Sequence, residues 1–252
     1  MDSVPAAGNA PKDSFQSTRW TLVLAAGHSQ AMPTNAHQAL SELCQIYWRP
    51  LYLFLRRQGA GAEDAQDLTQ SFFAELIRDR SFRRADRTKG RFRSFLLGAL
   101  KHFAADARDS LATQKRGGGQ RHEVFDAHAA DELEAQIVAN EKWDASAVFD
   151  REWAAALLHQ SIERLAQECA LTGKSALFLG LRPYLSGVTE EMIPYDELSQ
   201  RFRRGVPTLR SDVARLRTRY RAILREEVRG TVADPAEVED ELRYLRQVIA
   251  QA

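Results

Sequence analysis

Pro194-Tyr-Asp-Glu-Leu-Ser-Gln-Arg-Phe202, then Arg203-Arg-Gly-Val206, then Pro207-Thr-Leu-Arg-Ser-Asp-Val-Ala-Arg-Leu-Arg217 form one unbroken run that continues as a basic helix to Arg225. The first piece is a short amphipathic helix and the second a four-residue turn. Pro207 suits the first position of the next helix, because its missing N–H would be unpaired there in any case. Beyond it Val206, Leu209, Val213, Leu216, Tyr220 and Ile223 step by three and four, so they share one helical stripe and face a core. Thr208, Ser211 and Arg215 point away from that stripe, with Arg210 on one flank and Asp212 on the other. From Gln200 to Arg225 nine arginines stand against one acid, Asp212. Short helix, short turn and basic helix make a helix-turn-helix arrangement, which sets the outer N-terminal residues of its second helix against base edges in the major groove. A helical hairpin with a solvated arginine face has the same pattern. The charge excess and the turn length favour DNA binding.

The rest of the chain repeats the helical spacing, and β-branched clusters bounded by turn dipeptides are missing, so the fold class is all-α. The spacing predicts helices over about 18–26, 35–57, 62–78, 92–111, 147–168, 175–186, 194–202, 207–228 and 235–250. Residues 1–14 hold too little apolar content to pack and are expected to be disordered. Between Thr113 and Asp144 the apolar pattern weakens around Lys115-Arg-Gly-Gly-Gly119 and an acidic stretch, with partial helix near 131–140. The expected organisation is a helical domain over 15–112, a flexible linker over 113–146, a helix-turn-helix domain over 147–228 and an acidic helical tail over 229–252.

Charge is sorted along the chain although it nearly cancels overall, at +1 over 252 residues. The segment 61–77 carries Glu63, Asp64, Asp67 and Glu75 and no Lys or Arg, while Ala65, Leu68, Phe72 and Leu76 form its apolar stripe. Its exposed face is therefore acidic. Arg78 to Arg93 follows with eight basic residues against Asp79 and Asp86, and leads into Phe92, Phe95 and Phe103 with Lys101, His102 and Arg108. Rings beside cations are the mixture in which bases stack while phosphates are held, though taken alone those phenylalanines read more readily as core. The tail reverses the sign again, with seven acids against three arginines from Glu226 onward.

Several chemistries lack their anchors. No nucleophile elbow, P-loop or zinc-protease motif is present, and the six histidines have no cysteine or carboxylate at ligand spacing. The expectation is a non-enzymatic chain with no catalytic residue, no metal, no cofactor and no small-molecule substrate. Cys44 and Cys169, far apart, read as buried thiols of a reducing compartment rather than a disulfide framework. With no apolar stretch long enough to span a bilayer and no secretion signal, the expected location is the cytoplasm, without a membrane span.

At Asp64-Ala-Gln-Asp-Leu-Thr-Gln-Ser-Phe-Phe73, at Arg91-Phe-Arg-Ser-Phe-Leu-Leu-Gly-Ala-Leu-Lys-His102 and at Thr208-Leu-Arg-Ser-Asp-Val-Ala-Arg-Leu-Arg217 the sequence resembles bacterial RNA polymerase sigma factors of the sigma-70 family, extracytoplasmic-function (ECF) group. The likeness runs from about Tyr47 to Arg225, and Ser17-Thr-Arg-Trp20 with Thr231-Val-Ala-Asp-Pro235 looks like a subgroup with extended termini. The resemblance implies two partners, core RNA polymerase and promoter DNA, with an anti-sigma factor or other regulator as a third. It implies that Asp64, Asp67, Leu68, Gln70 and Phe73 dock on the clamp of the polymerase's largest subunit. Arg91, Phe92, Arg93, Phe95, Lys101, His102 and Arg108 would grip the non-template strand of the −10 element as it melts. Thr208, Arg210, Ser211, Asp212, Arg215 and Arg219 would lie at the −35 element. Three positions depart from the family pattern. Ser71 stands where Glu is frequent, Arg203 stands at the usual glycine of the turn and calls for a strained backbone or a different turn, and Asp212 puts a negative charge beside DNA. Two other functions fit the same residues: a stand-alone helix-turn-helix regulator, which has no need of the acidic helix, and a polymerase-associated adaptor with weakened promoter binding.

Overall fold

The computed structural model describes residues 34–78, 91–114, 143–186, 192–232 and 234–251. Helix dominates, and no strand occurs among the described residues beyond one isolated antiparallel bridge between Arg91 and Val232. The helices are α1 (Thr34–Arg57), α2 (Ala62–Arg78), α3 (Phe92–Gln114), α4 (Ala145–Leu171), α5 (Ser175–Leu181), α6 (Pro183–Ser186), α7 (Tyr195–Phe202), α8 (Val206–Gly230) and, after a 3-10 turn at Pro235–Glu237, α9 (Val238–Ala250). The helix expected over 18–26, the disordered start at 1–14 and the partial helix near 131–140 lie outside the described residues. The single helix expected over 175–186 is two, because Pro183 has no N–H with which to continue the ladder.

α4 is the spine. Asp144 caps it, accepting the Ala147 N–H at 2.7 Å. Its 27 residues, at ~1.5 Å each, span about 40 Å, enough to serve more than one core. Its first half, through Val148, Phe149, Trp153 and Leu157, packs into the core that α1, α2 and α3 begin with Tyr47, Leu51, Phe54, Phe72, Leu76, Phe92 and Leu96. Tyr47 sits at the centre, edge-on to Phe92 with centroids 5.1 Å apart, and its hydroxyl accepts the Trp153 indole N–H at 3.1 Å. Val228 near the end of α8, Val232 just beyond it, and Val238, Leu245 and Val248 of α9 close the same core. Packing thus crosses the division expected at 113–146: residues from both sides of it share one apolar interior.

Two smaller cores lie farther along. Leu165 and Cys169 of α4 meet Phe178 and Ile223, while Leu181, Tyr184, Leu198, Leu209 and Val213 hold α5 to α8 together. Gly180 makes the second possible, since a Cβ there would come within 2.8 Å of the Phe202 ring. Cys169 is buried and Cys44 half-buried, and both are free; burial pushes the Cys44 thiol up to about 12. No helix among the described residues is long and apolar enough to cross a membrane.

Candidate nucleic-acid interface

α7 ends at Arg203, which adopts the left-handed conformation (φ 51°, ψ 45°) that a β-carbon disfavours. The turn holds because the Arg204 N–H reaches back to the Ser199 carbonyl at 3.1 Å, closing the helix end as a glycine would. The arginine at the glycine position thus takes the strained backbone rather than a different turn. Gly205 and Pro207 then start α8, and the Leu209 N–H bonds the Gly205 carbonyl at 3.1 Å. Leu198 and Leu209, both fully buried, lock the two helices across the turn.

On the outer side of α8, Thr208, Arg210, Ser211 and Arg215 are exposed, as the periodicity predicts. Arg210 lies over the Tyr195 ring, 5.6 Å from its centroid, and the Ser211 hydroxyl donates to the Pro207 carbonyl at 3.1 Å. Asp212, on the other flank, turns its carboxylate inward. Its side chain is only 11% exposed, and its two oxygens accept from Arg204 at 2.9 Å and from Arg215. With both oxygens engaged by arginines, the carboxylate is turned inward and ties the turn to α8 instead of standing free beside a duplex.

Much of the arginine excess is met within the chain. Arg219 forms a fork on Glu168 at 2.7 and 2.6 Å, Arg164 bonds Glu226 and Glu227, Arg225 bonds Glu239, and Arg217 donates to the Tyr184 carbonyl at 2.7 Å. The hydrogen bond with Glu168 raises the Arg219 guanidinium above its ordinary value, and the same bond lowers Glu168 below its own. Arg201, Arg203, Arg210 and Arg221 have no ion-pair partner among the described residues. Together with Arg215, 71% exposed despite its bond to Asp212, they carry the open positive charge of this unit.

On α2, Asp64, Asp67 and Gln70 are exposed, and neither aspartate has a cationic partner among the described residues. Asp64 and Asp67 rim a groove with Leu68, Ser71 and Arg108. Phe73 is buried and Leu68 is packed against the core, so these two support the acidic face from below.

α3 divides in the same manner. Lys101, His102 and Arg108 are exposed, Phe95 is half-buried and Phe92 is 0% exposed. The Phe92 N–H, a helix-start donor without an intrahelical acceptor, bonds the Thr231 carbonyl at 3.0 Å. Arg93 is 11% exposed. It bonds Glu241 at 2.6 Å and Asp150 at 3.1 Å, with its guanidinium 5.2 Å from the Trp153 centroid and 4.1 Å from that of Tyr244. Burial would lower this guanidinium's pKa, but the Glu241 hydrogen bond and the nearby carboxylates outweigh it and hold the value above the ordinary one. Arg91 bonds the same Glu241 at 3.1 Å.

Sequence reasoning did not find Glu241, Asp150, Trp153 and Tyr244 as partners of Arg93. The alternating sign of the segments was the available signal, since an acidic tail needs basic company, but nothing in it gives a register across 148 residues. Comparisons with known protein families, with characterised proteins and with solved structures found no match for this chain.

Proposed function

We propose that this chain is a sigma factor of the ECF kind, a non-catalytic subunit that binds core RNA polymerase and gives it promoter choice. The observation that carries this reading is the open acidic face of Asp64, Asp67 and Gln70 on the same chain as a helix, tight turn and basic helix. A repressor needs the second and not the first. On this reading α7 and α8 are a helix-turn-helix, in which Thr208, Arg210, Ser211 and Arg215 meet the −35 element. Arg203, Arg221 and the other open arginines hold phosphates, which set position rather than sequence. Asp212 fixes Arg215 in place. Phe95 and His102 share one groove of α3, where a melting −10 strand would pass, and Lys101 and Arg108 are exposed on another side of the helix.

The internal pairing of Arg217, Arg219 and Arg225 supports a second reading, an adaptor that binds polymerase but holds promoter DNA weakly. Transcription from a randomised promoter library by core polymerase plus the purified chain separates them. A sigma factor enriches templates that share two spaced elements. Polymerase binding without enrichment selects the adaptor, and site-specific DNA binding without polymerase binding selects a stand-alone regulator.

A further inference from the structure

The C-terminal segment supplies Arg91 and Arg93 with what a single strand of DNA supplies: an anion and a ring. Glu241, 1% exposed, bonds both arginines, and the Tyr244 ring lies against Arg93 while its hydroxyl donates to Asp150 at 2.6 Å. The backbone joins in, through the Thr231 carbonyl on the Phe92 N–H and the bridge from Arg91 to Val232. Cation and phosphate, cation and base face, are the contacts that hold unpaired nucleotides. Each is filled here from within the chain, and Val238, Leu245 and Val248 anchor the helix that fills them.

We infer that α9 is an intramolecular stand-in for single-stranded DNA, and that the start of α3 binds a strand only when α9 lets go. The inference rests on the sigma-factor reading, which places the melted strand on α3. If α9 is docked in nine molecules of ten, the strand affinity is about tenfold below that of the open site. The docked fraction then sets how readily this protein opens a promoter, and any partner that takes up the apolar stripe of α9 raises the activity.

The test is binding of a fluorescent single-stranded oligodeoxynucleotide to the full chain at matched salt. Glu241→Gln removes the shared carboxylate charge but keeps an acceptor oxygen, and Leu245→Ala loosens the helix without touching a charge. Asp240→Asn removes an equal charge from the exposed side of the same helix. Both loosening variants are expected to bind about 3–10-fold more tightly while Asp240→Asn stays within about twofold. Addition of the oligonucleotide to the unaltered protein is expected to speed amide exchange across 238–250, a readout that needs no variant. Equal, measurable affinity in all four proteins with unchanged exchange overturns the stand-in and leaves the sigma-factor reading in place. A gain in Glu241→Gln alone is a charge effect and also overturns it. No binding by any of them removes the strand from α3, and the inference falls together with that part of the functional reading.

Discussion

Two sets of arginines, the pair at the start of α3 and those along α7 and α8, are used in opposite ways. Around Arg91 and Arg93 the positive charge is drawn inward, onto carboxylates of α4 and α9 and between two rings, at the edge of the largest core. Across α7, its turn and α8 the charge stays at the surface, where Asp212, Glu168 and Glu226 hold some arginines and leave Arg201, Arg203, Arg210 and Arg221 open among the described residues. Local sums of charge describe a segment, whereas a ligand meets a surface. The two coincide only where the neutralising acids are close in sequence, as Asp212 is to Arg204 and Arg215.

This contrast can be broken experimentally, and the largest effect belongs to the inward segment. Trp153→Ala removes a fully buried indole that backs Arg93 and bonds Tyr47; it is expected to cost about 3–5 kcal/mol in urea unfolding. A loss below about 1 kcal/mol would mean that the Arg93 cage is peripheral to the core. At the outward segment, Gly180→Ala drives a methyl into the Phe202 ring, and a cost of about 1–3 kcal/mol is expected in the same measurement. Phe202→Leu should recover most of it, because the smaller side chain vacates the contact.

Asp212→Asn comes next. Arg204 and Arg215 are 40% and 71% exposed, so water screens both pairs and the expected loss is only about 1 kcal/mol. Its clearer effect is on DNA: a freed Arg215 and one less negative charge should tighten non-specific duplex binding and steepen its salt dependence. A variant with unchanged salt slope would show that this face of α8 does not meet phosphates.

The smallest effect is a pH dependence. Arg219 holds the Glu168 carboxyl below its ordinary value, so the pair stabilises the fold above the usual glutamate pKa and loses that contribution as pH falls through the lowered one. The gap in Tm between the natural protein and Glu168→Gln should be flat near neutrality, worth less than about 1 kcal/mol, and close in acid. A gap that widened on acidification would reverse the assigned sign.

How much of this was legible follows from where the partners lie. Helices with repeated apolar steps could be read directly, since Leu209, Val213 and Ile223 are buried as their spacing requires, and so could the short turn before Pro207. Outward positions such as Arg210 and Ser211 follow from the same geometry. Asp212 lies at the flank that its helical angle gives, but its pairing with Arg204 and Arg215 does not follow from that angle. The shared core of α1, α4 and α9 was hidden for a different reason. An apolar stripe states that a helix has a partner and not which one, and the stripes of α4 and α9 fit a separate C-terminal unit equally well.

The sigma-factor proposal stands or falls on the acidic face of α2, and one comparison reaches it: affinity for bacterial core RNA polymerase of the natural chain against Asp67→Arg, with circular dichroism confirming equal helix content. Asp67 is exposed and bears no part of the core, so folding should not change. The expected result is tight binding by the natural chain and a loss of about tenfold or more in the variant, the size for truncating or reversing one well-placed interfacial charge. Equal affinity of the two proteins would remove α2 as the docking surface, and failure of the natural chain to bind core polymerase at all would contradict the proposal outright.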